Sequence, residues 1–344
     1  MPKMLITGGC GFIGSNATVY FARRGWSIIV LDNLSRPGAA NNAEWIRAIP
    51  NVECIEGDIR DPRMLDQVIG RHRDVNAVLH LAAQVAVTTS VADPVTDCEI
   101  NVMGTLKLLE AIRRQGADPV FIYASTNKVY GDLRKLATHD HGQRYALVDC
   151  PRGVTEEFPV DFYSPYGCSK GGAEMYVLDY ARVYGLRTVS LRQSCIYGPH
   201  QHGVEDQGWV AWFIICAMVG RPVTIFGDGK QVRDILFVDD LVDCYERCIA
   251  DIECLKGCAF NVGGGPESSL SLLEFIETLK TQFGLEVQYS FAEARPGDQR
   301  VYVSDIDRIT DILGWKPRTA VKDGMKALVQ WVADHKDRFV TSRS

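Results

Sequence analysis

The sequence has no run approaching 18 consecutive apolar residues, so no segment reads as a membrane-spanning helix. It also has no excess of positive charge. Lys and Arg number 37 against 43 Asp and Glu, a net charge of -6, which argues against nucleic acid or an anionic membrane as a partner. There is no low-complexity linker and no internal repeat beyond two βαβ halves. No charged leader with an apolar stretch precedes the first strand, and the expectation is a cytoplasmic protein. The eleven cysteines are odd in number and scattered through apolar segments, which suits reduced core thiols rather than a disulfide framework. Cys244, Cys248, Cys254 and Cys258 have a spacing that a metal site could use. The first pair falls on a helical face beside Leu241 and Tyr245, however, and the second brackets a turn at Gly257, so no metal is expected. The pairs His139/His141 and His200/His202 lie in polar, glycine-containing loops and are expected at the surface.

What is present is a chain of 344 residues with ordinary apolar (46%) and charged (23%) content, enough for one large or two fused domains. Its organising stretch runs from Lys3 to Asp32. An apolar run (Met4-Leu5-Ile6) leads into Thr7-Gly8-Gly9-Cys10-Gly11-Phe12-Ile13-Gly14, then a helical pattern to about Arg24, then a second apolar run ending at Asp32. Strand, glycine turn, helix, strand and acid in that order fit a dinucleotide site. The glycines allow a tight turn, close approach of a pyrophosphate and helix–strand packing, and the helix N-terminus faces the phosphates. A carboxylate at Asp32 accepts ribose hydroxyls and repels a 2′-phosphate, favouring NAD over NADP, although Arg36 lies nearby.

Further strands are expected over 52–56, 77–81, 120–124 and 187–192, alternating with helical patterns, the longest from Asp93 to Gln115. This predicts an α/β fold: a Rossmann-type doubly wound parallel sheet with ligands gathered at the carboxyl ends of its strands. Residues 1–195, with 237–265 returning to them, form the expected cofactor domain. Residues 196–236 and 266–344 form a smaller C-terminal substrate-binding domain. Asp58 reads as an acceptor for the adenine amino group or as a helix N-cap. Ala82-Ala83-Gln84 lets a flat cofactor lie close, and Asn101 is polar among apolar neighbours. Residues 132–161 read as a long loop, a subunit contact or a flap.

Tyr166 and Lys170 are four apart on one helical face, where the ammonium and the positive nicotinamide ring of an oxidised cofactor both favour the phenolate and make the tyrosine a usable base near neutrality. Thr126, at the end of the fifth strand, can orient a substrate hydroxyl or merely cap a turn. Arg233 and Arg295 suit a diphosphate clamp or surface salt bridges. Residues 207–213 suit a stacking surface for a base or an amphipathic core helix.

Thr7-Gly8-x-x-Gly11-x-x-Gly14, Asp32, Thr126 four residues before Tyr130, and Tyr166-x-x-x-Lys170 together resemble the extended short-chain dehydrogenase/reductase family over essentially the whole chain. The resemblance implies a catalytic trio of Thr126, Tyr166 and Lys170. It implies NAD held by Gly8, Gly11, Phe12, Ile13, Gly14, Asp32, Asn33, Asp58, Ile59, Leu81, Ala82, Ala83, Gln84, Asn101, Tyr166, Lys170 and Gln193. Substrate contacts are implied for Thr88, Thr126, Gln193, Gln207, Trp209, Arg233, Arg295 and Asp298. Family 4,6-dehydratases carry Asp-Glu directly after the threonine; Asn127-Lys128 stands here, which disfavours dehydration and leaves epimerisation. The strings around 126–133, 206–210, 229–234 and 298–301 are similar to those of members acting on CDP-linked sugars. The implied protein is an NAD-dependent nucleotide-sugar epimerase, with a CDP-sugar favoured and a homo-oligomer, dimer or tetramer, expected. A UDP-hexose or UDP-hexuronate 4-epimerase and a non-catalytic NAD-sensing regulator are the alternatives.

Overall fold

Seven short runs rich in branched apolar residues form one parallel sheet: β1 (Lys3–Thr7), β2 (Ser27–Asp32), β3 (Val52–Glu56), β4 (Ala77–His80), β5 (Val120–Thr126), β6 (Thr188–Gln193) and β7 (Ala259–Val262). Their spatial order is β7-β6-β5-β4-β1-β2-β3, every pair parallel. The structure, a computed structural model, describes residues 1–295 and 297–340. Both sheet faces are covered, because alternate side chains of a parallel strand point to opposite faces and both must be buried. Met4 and Ile6 of β1 join α1 (Phe12–Arg23), α2 (Ala39–Arg47) and the later helix over Val238–Ala250 on one face. Leu5 joins α3 (Pro62–Arg71), α4 (Thr105–Gln115) and α5 (Pro165–Tyr184) on the other.

The strand order reverses between β1 and β4, and the chain crosses to opposite sides there. This opens a crevice at the carboxyl ends of the strands. The remaining chain forms a second lobe over that crevice. Its core holds α6 (Trp209–Val219), apolar on all sides and buried by the helix over Leu272–Phe283 and the C-terminal helix over Val321–Asp334. A small sheet centred on Val232–Phe237 pairs with Cys195–Tyr197, Ser269–Ser271 and Val301–Tyr302.

Two expectations change. The continuous helix from Asp93 to Gln115 is three pieces: Pro94–Cys98 capped by Asp93, a wider π turn over Glu99–Gly104, then α4. The π turn lets Asn101 meet the main chain of Gln84. The stretch 132–161 is a packed element rather than a flap. It contains an antiparallel pair (Thr138–Asp140 with Tyr145–Leu147), and Leu133, Leu147 and Val154 pack on Val232, Val301 and Tyr302. Among the described residues, no helix is long and apolar enough to cross a membrane.

Candidate active site

The turn after β1 sets one end of the crevice. Gly8 has φ +70°, and a Cβ there would meet the backbone nitrogen of Ala82, beyond β4, at 2.7 Å. A Cβ on Gly14 would collide with the carbonyl oxygen of Gly8. The close approach of the two strand ends therefore depends on glycine. Gly11 caps α1 without a side-chain bond, leaving first-turn N–H groups facing the crevice. Asp32 accepts N–H bonds from Cys10 (2.9 Å) and Leu34 (2.8 Å), and burial raises its pKa.

Asp58 is gripped by Arg60 at 2.8 and 3.0 Å and by Asn33 at 2.9 Å, which holds its carboxyl down at about 2. The N-cap of α3 is Asp61, whose side chain accepts from Arg63 N–H, so the capping alternative for Asp58 is corrected. Asn33, Asp58, Ile59 and Leu81 through Ala83 line a cavity of about 410 Å³, together with the glycine turn, Phe12, Ile13 and Asp32.

Thr126, Tyr166, Lys170 and Gln193 line the other end of the same cavity. Ser164 caps α5 and Pro165 starts it, so Tyr166 and Lys170 fall in its first two turns and face β5. The Thr126 hydroxyl accepts from the Lys128 N–H and donates to Asn127 Oδ1, both at 3.3 Å, and it acts on the Tyr166 phenol to favour its ionised form. Burial raises Tyr166 to about 12, with Thr126 and the Arg36 guanidinium opposing. Burial lowers Lys170 to about 7, with Glu174 and Asp97 opposing, and its Nζ lies 4.2 Å from the centroid of the Tyr123 ring. The protein alone thus keeps Tyr166 a neutral phenol, and of the cations around it the Arg36 guanidinium is the one that lowers its pKa.

The second lobe closes the cavity with residues 200–202 and 206–210, Gln207 and Trp209 among them. Trp209 also packs edge-on to Phe213 and Phe275, so α6 is a core helix that shows only its first turn to the site. Several expected contacts lie behind the cavity wall. Gln84 and Asn101 spend their polar groups on each other's backbone, on Asp97 and on Ser169, and so brace the wall. Val87 lines the cavity where Thr88 was expected, and the Thr88 hydroxyl is buried. Arg233 is bonded to Asp298 (2.6 Å), and Arg295 to Asp206 (3.0 Å) while lying 3.8 Å over the Phe226 ring. Arg233, Arg295 and Asp298 are held in these ion pairs, with Asp206 itself lining the cavity.

Other lining residues escaped the sequence reading. Arg36 enters the cavity and donates to Gln207 Oε1 at 2.8 Å, a contact 171 residues apart that no local pattern signals. Asn127 and Lys128, next to Thr126, and Cys195 line the cavity as well. His200 and His202 are half-buried rather than exposed. They line the cavity too, and His200 stacks on Trp45 at 3.5 Å while His202 meets Trp331 and Phe339. His139 and His141 are exposed as expected. Cys244 and Cys248 are buried on a helix face, whereas Cys254 is exposed.

Comparison with known proteins agrees with this geometry. The model of the GDP-mannose 4,6 dehydratase family matches residues 5–328. The CDP-paratose 2-epimerase of Salmonella typhi is 44% identical over 336 residues, covering 96% of this chain and 99% of that protein. Among solved structures, the UDP-glucose 4-epimerase of Thermotoga maritima with UDP-glucose superposes with a TM-score of 0.83 at 31% identity, over 97% of this chain and 99% of that one. The UDP-glucuronic acid 4-epimerase of Bacillus cereus, in complex with UDP-glucuronic acid and NAD, superposes at 0.82 and 26% identity over 97% and 99%. With a Rossmann sheet, a glycine turn and a Tyr-Lys helix on one cleft, and a match along nearly the whole chain, this protein belongs to the GDP-mannose 4,6-dehydratase family of extended short-chain dehydrogenases/reductases.

Proposed function

We infer that the chain is an NAD-dependent nucleotide-sugar epimerase, an isomerase that converts CDP-paratose to CDP-tyvelose by transient oxidation at C2. The observation that carries the reading is one cleft with a glycine turn and Asp32 at one end and Thr126, Tyr166 and Lys170 together at the other. The residues present fit NAD: uncapped N–H groups at the start of α1, a glycine where a Cβ would block approach, and a carboxylate at the tip of β2. Held by these residues, NAD would supply a reversible hydride acceptor, so the reaction would have no net redox change.

The chain's own work is proton handling and orientation. Tyr166 takes the C2 hydroxyl proton and returns it to the same oxygen once the sugar has turned its opposite face to the cofactor. Thr126 holds the same oxygen, the Arg36 guanidinium favours the phenolate, and Lys170 lines the same end of the cavity. A phenol suits this task, because its phenolate is basic enough to take a sugar hydroxyl proton, whereas the conjugate base of a strong acid is too weak to do so. Arg233 and Arg295 hold the diphosphate, exchanging part of their bonding with Asp298 and Asp206 while the sugar turns. Asn127-Lys128 after Thr126 leaves no carboxyl pair to eliminate water, which supports epimerisation over the dehydration named in the family model.

The proposed division assigns 1–195 and 237–265 to the cofactor and the rest to the nucleotide sugar. The pairing of β7 with β6 supports it. A homo-oligomer fits the exposed Met175, Tyr176, Val183 and Tyr184 on α5, and a cytoplasmic location fits cysteines that are all free. A UDP-hexose 4-epimerase uses the same residues, and the 44% identity to a CDP-paratose 2-epimerase favours the C2 reading. Purified protein incubated with CDP-paratose, and separately with UDP-galactose, without added NAD, tests it. Product from the CDP-sugar alone is expected, and turnover of the UDP-sugar alone overturns the assignment.

A further inference from the structure

Outside the trio, the one cavity-lining ammonium on the β5 side has no task in the reaction described. Lys128 follows Thr126 by two residues, and its backbone N–H donates to the Thr126 hydroxyl at 3.3 Å, so its position is tied to that of the reacting end of the cleft. Its Nζ is 3.3 Å from Oδ1 of Asp298. The same oxygen accepts Arg233 at 2.6 Å. Two cations therefore share one carboxylate across the boundary between the lobes. The Lys128 and Arg233 side chains are 21% and 10% exposed, too little for water to neutralise the surplus cheaply. Burial pushes the Lys128 ammonium down, Arg233 adds to the push, and Asp298 opposes both. Cys195, the remaining wall residue beside the cluster, has its thiol pushed up by burial and so brings no negative charge. A net positive charge held at the edge of a cavity calls for an anion from the ligand.

Resting on the epimerase reading above, we propose that Lys128 holds the sugar-side phosphate of the nucleoside diphosphate, and so selects C2 of the sugar for Thr126 and Tyr166. The chemistry of the substrate makes this a ruler. C2 is bonded directly to the anomeric carbon that carries the diphosphate, whereas C4 lies across the ring. A cation two residues from the threonine that holds the reacting oxygen brings phosphate and reacting carbon close together, as C2 chemistry requires. The same anchor disfavours presentation of C4.

The test compares binding of CDP and of CMP, with UDP and UMP in parallel, to the NAD-loaded protein by titration calorimetry. Lys128→Met is expected to weaken CDP by at least about tenfold, the scale of one lost charge-assisted hydrogen bond, and to move CMP less than about twofold. Bound NAD and melting temperature should be unchanged, and Lys128→Arg should keep the preference for the diphosphate. Turnover of CDP-paratose by Lys128→Met should show a raised KM with a lowered kcat, as the sugar is no longer placed. Equal weakening of CDP and CMP, or no weakening of either, overturns the proposal. If the methionine variant sheds its cofactor, Lys128→Gln gives the same comparison. Loss of cofactor in both counts against it, because a residue that only meets the ligand is not needed for the fold. A wild-type protein that prefers UDP to CDP contradicts the nucleotide assigned above, while the diphosphate-to-monophosphate ratio then judges Lys128 on UDP and UMP.

Discussion

At the scale of single residues, the site keeps its acid–base group largely out of solvent. Tyr166 is buried and its phenol is raised to about 12, so proton transfer depends on what the Thr126 hydroxyl and nearby cations do to it. Tyr166→Phe removes that hydroxyl while filling the same space. Turnover should fall by about 10²- to 10⁴-fold, with bound NAD and the melting temperature nearly unchanged. Measuring cofactor content beside activity separates this from misfolding, and an active variant would favour the non-catalytic regulator. These residues were legible because their signal is local: an i, i+4 pair on a capped helix and a hydroxyl at a strand tip. Arg36 was legible only as a nearby charge. Its reach to Gln207 depends on how two lobes meet, which spacing along a chain does not encode.

At the scale of elements, α5 is fixed to the sheet by a buried ion pair. Arg192 of β6 donates to Glu174 of α5 at 2.6 and 3.0 Å, and to Tyr130 at 2.9 Å. Tyr130 in turn donates to Asn261 of β7 at 2.8 Å. Glu174 is fully buried and Arg192 nearly so. Arg192→Met leaves an unpaired buried carboxylate, which should cost about 3 kcal/mol in urea unfolding. A loss below about 1 kcal/mol would mean that Glu174 takes up a proton or finds water. The strands and most helices could be read from apolar runs and turn residues. The π turn at Glu99–Gly104 could not, because its cause is the contact between Asn101 and the main chain of Gln84, 17 residues earlier.

At the scale of the molecule, the lobes meet through an aromatic and imidazole cluster. Trp45 of the cofactor lobe, His200 and His202 of the cavity wall, and Trp331, His335 and Phe339 of the C-terminal helices are its members. The polar, glycine-containing context of His200 and His202 pointed to the surface, since their partners lie about 130 residues further along. Burial first, then neighbouring His335 and Arg338, pushes both imidazoles down to about 4. The unfolded chain binds protons at these sites below about 6.5 while the folded chain resists, so stability is full above that pH and falls as pH drops toward 4. The loss should be on the order of 2 kcal/mol for each imidazole after allowing for partial solvation. Melting curves between pH 8 and 4.5 should show it, and His200→Asn should flatten the slope. An unchanged slope would place the acid sensitivity elsewhere.

The account's central claim is that the hydrogen on C2 leaves and returns without exchanging with solvent. The direct measurement is conversion of CDP-paratose in D₂O by the purified protein, with the product read by NMR or mass spectrometry. CDP-tyvelose carrying ordinary hydrogen at C2 is the predicted result, and deuterium at C2 would contradict the account by showing that the carbon exchanges a proton with water.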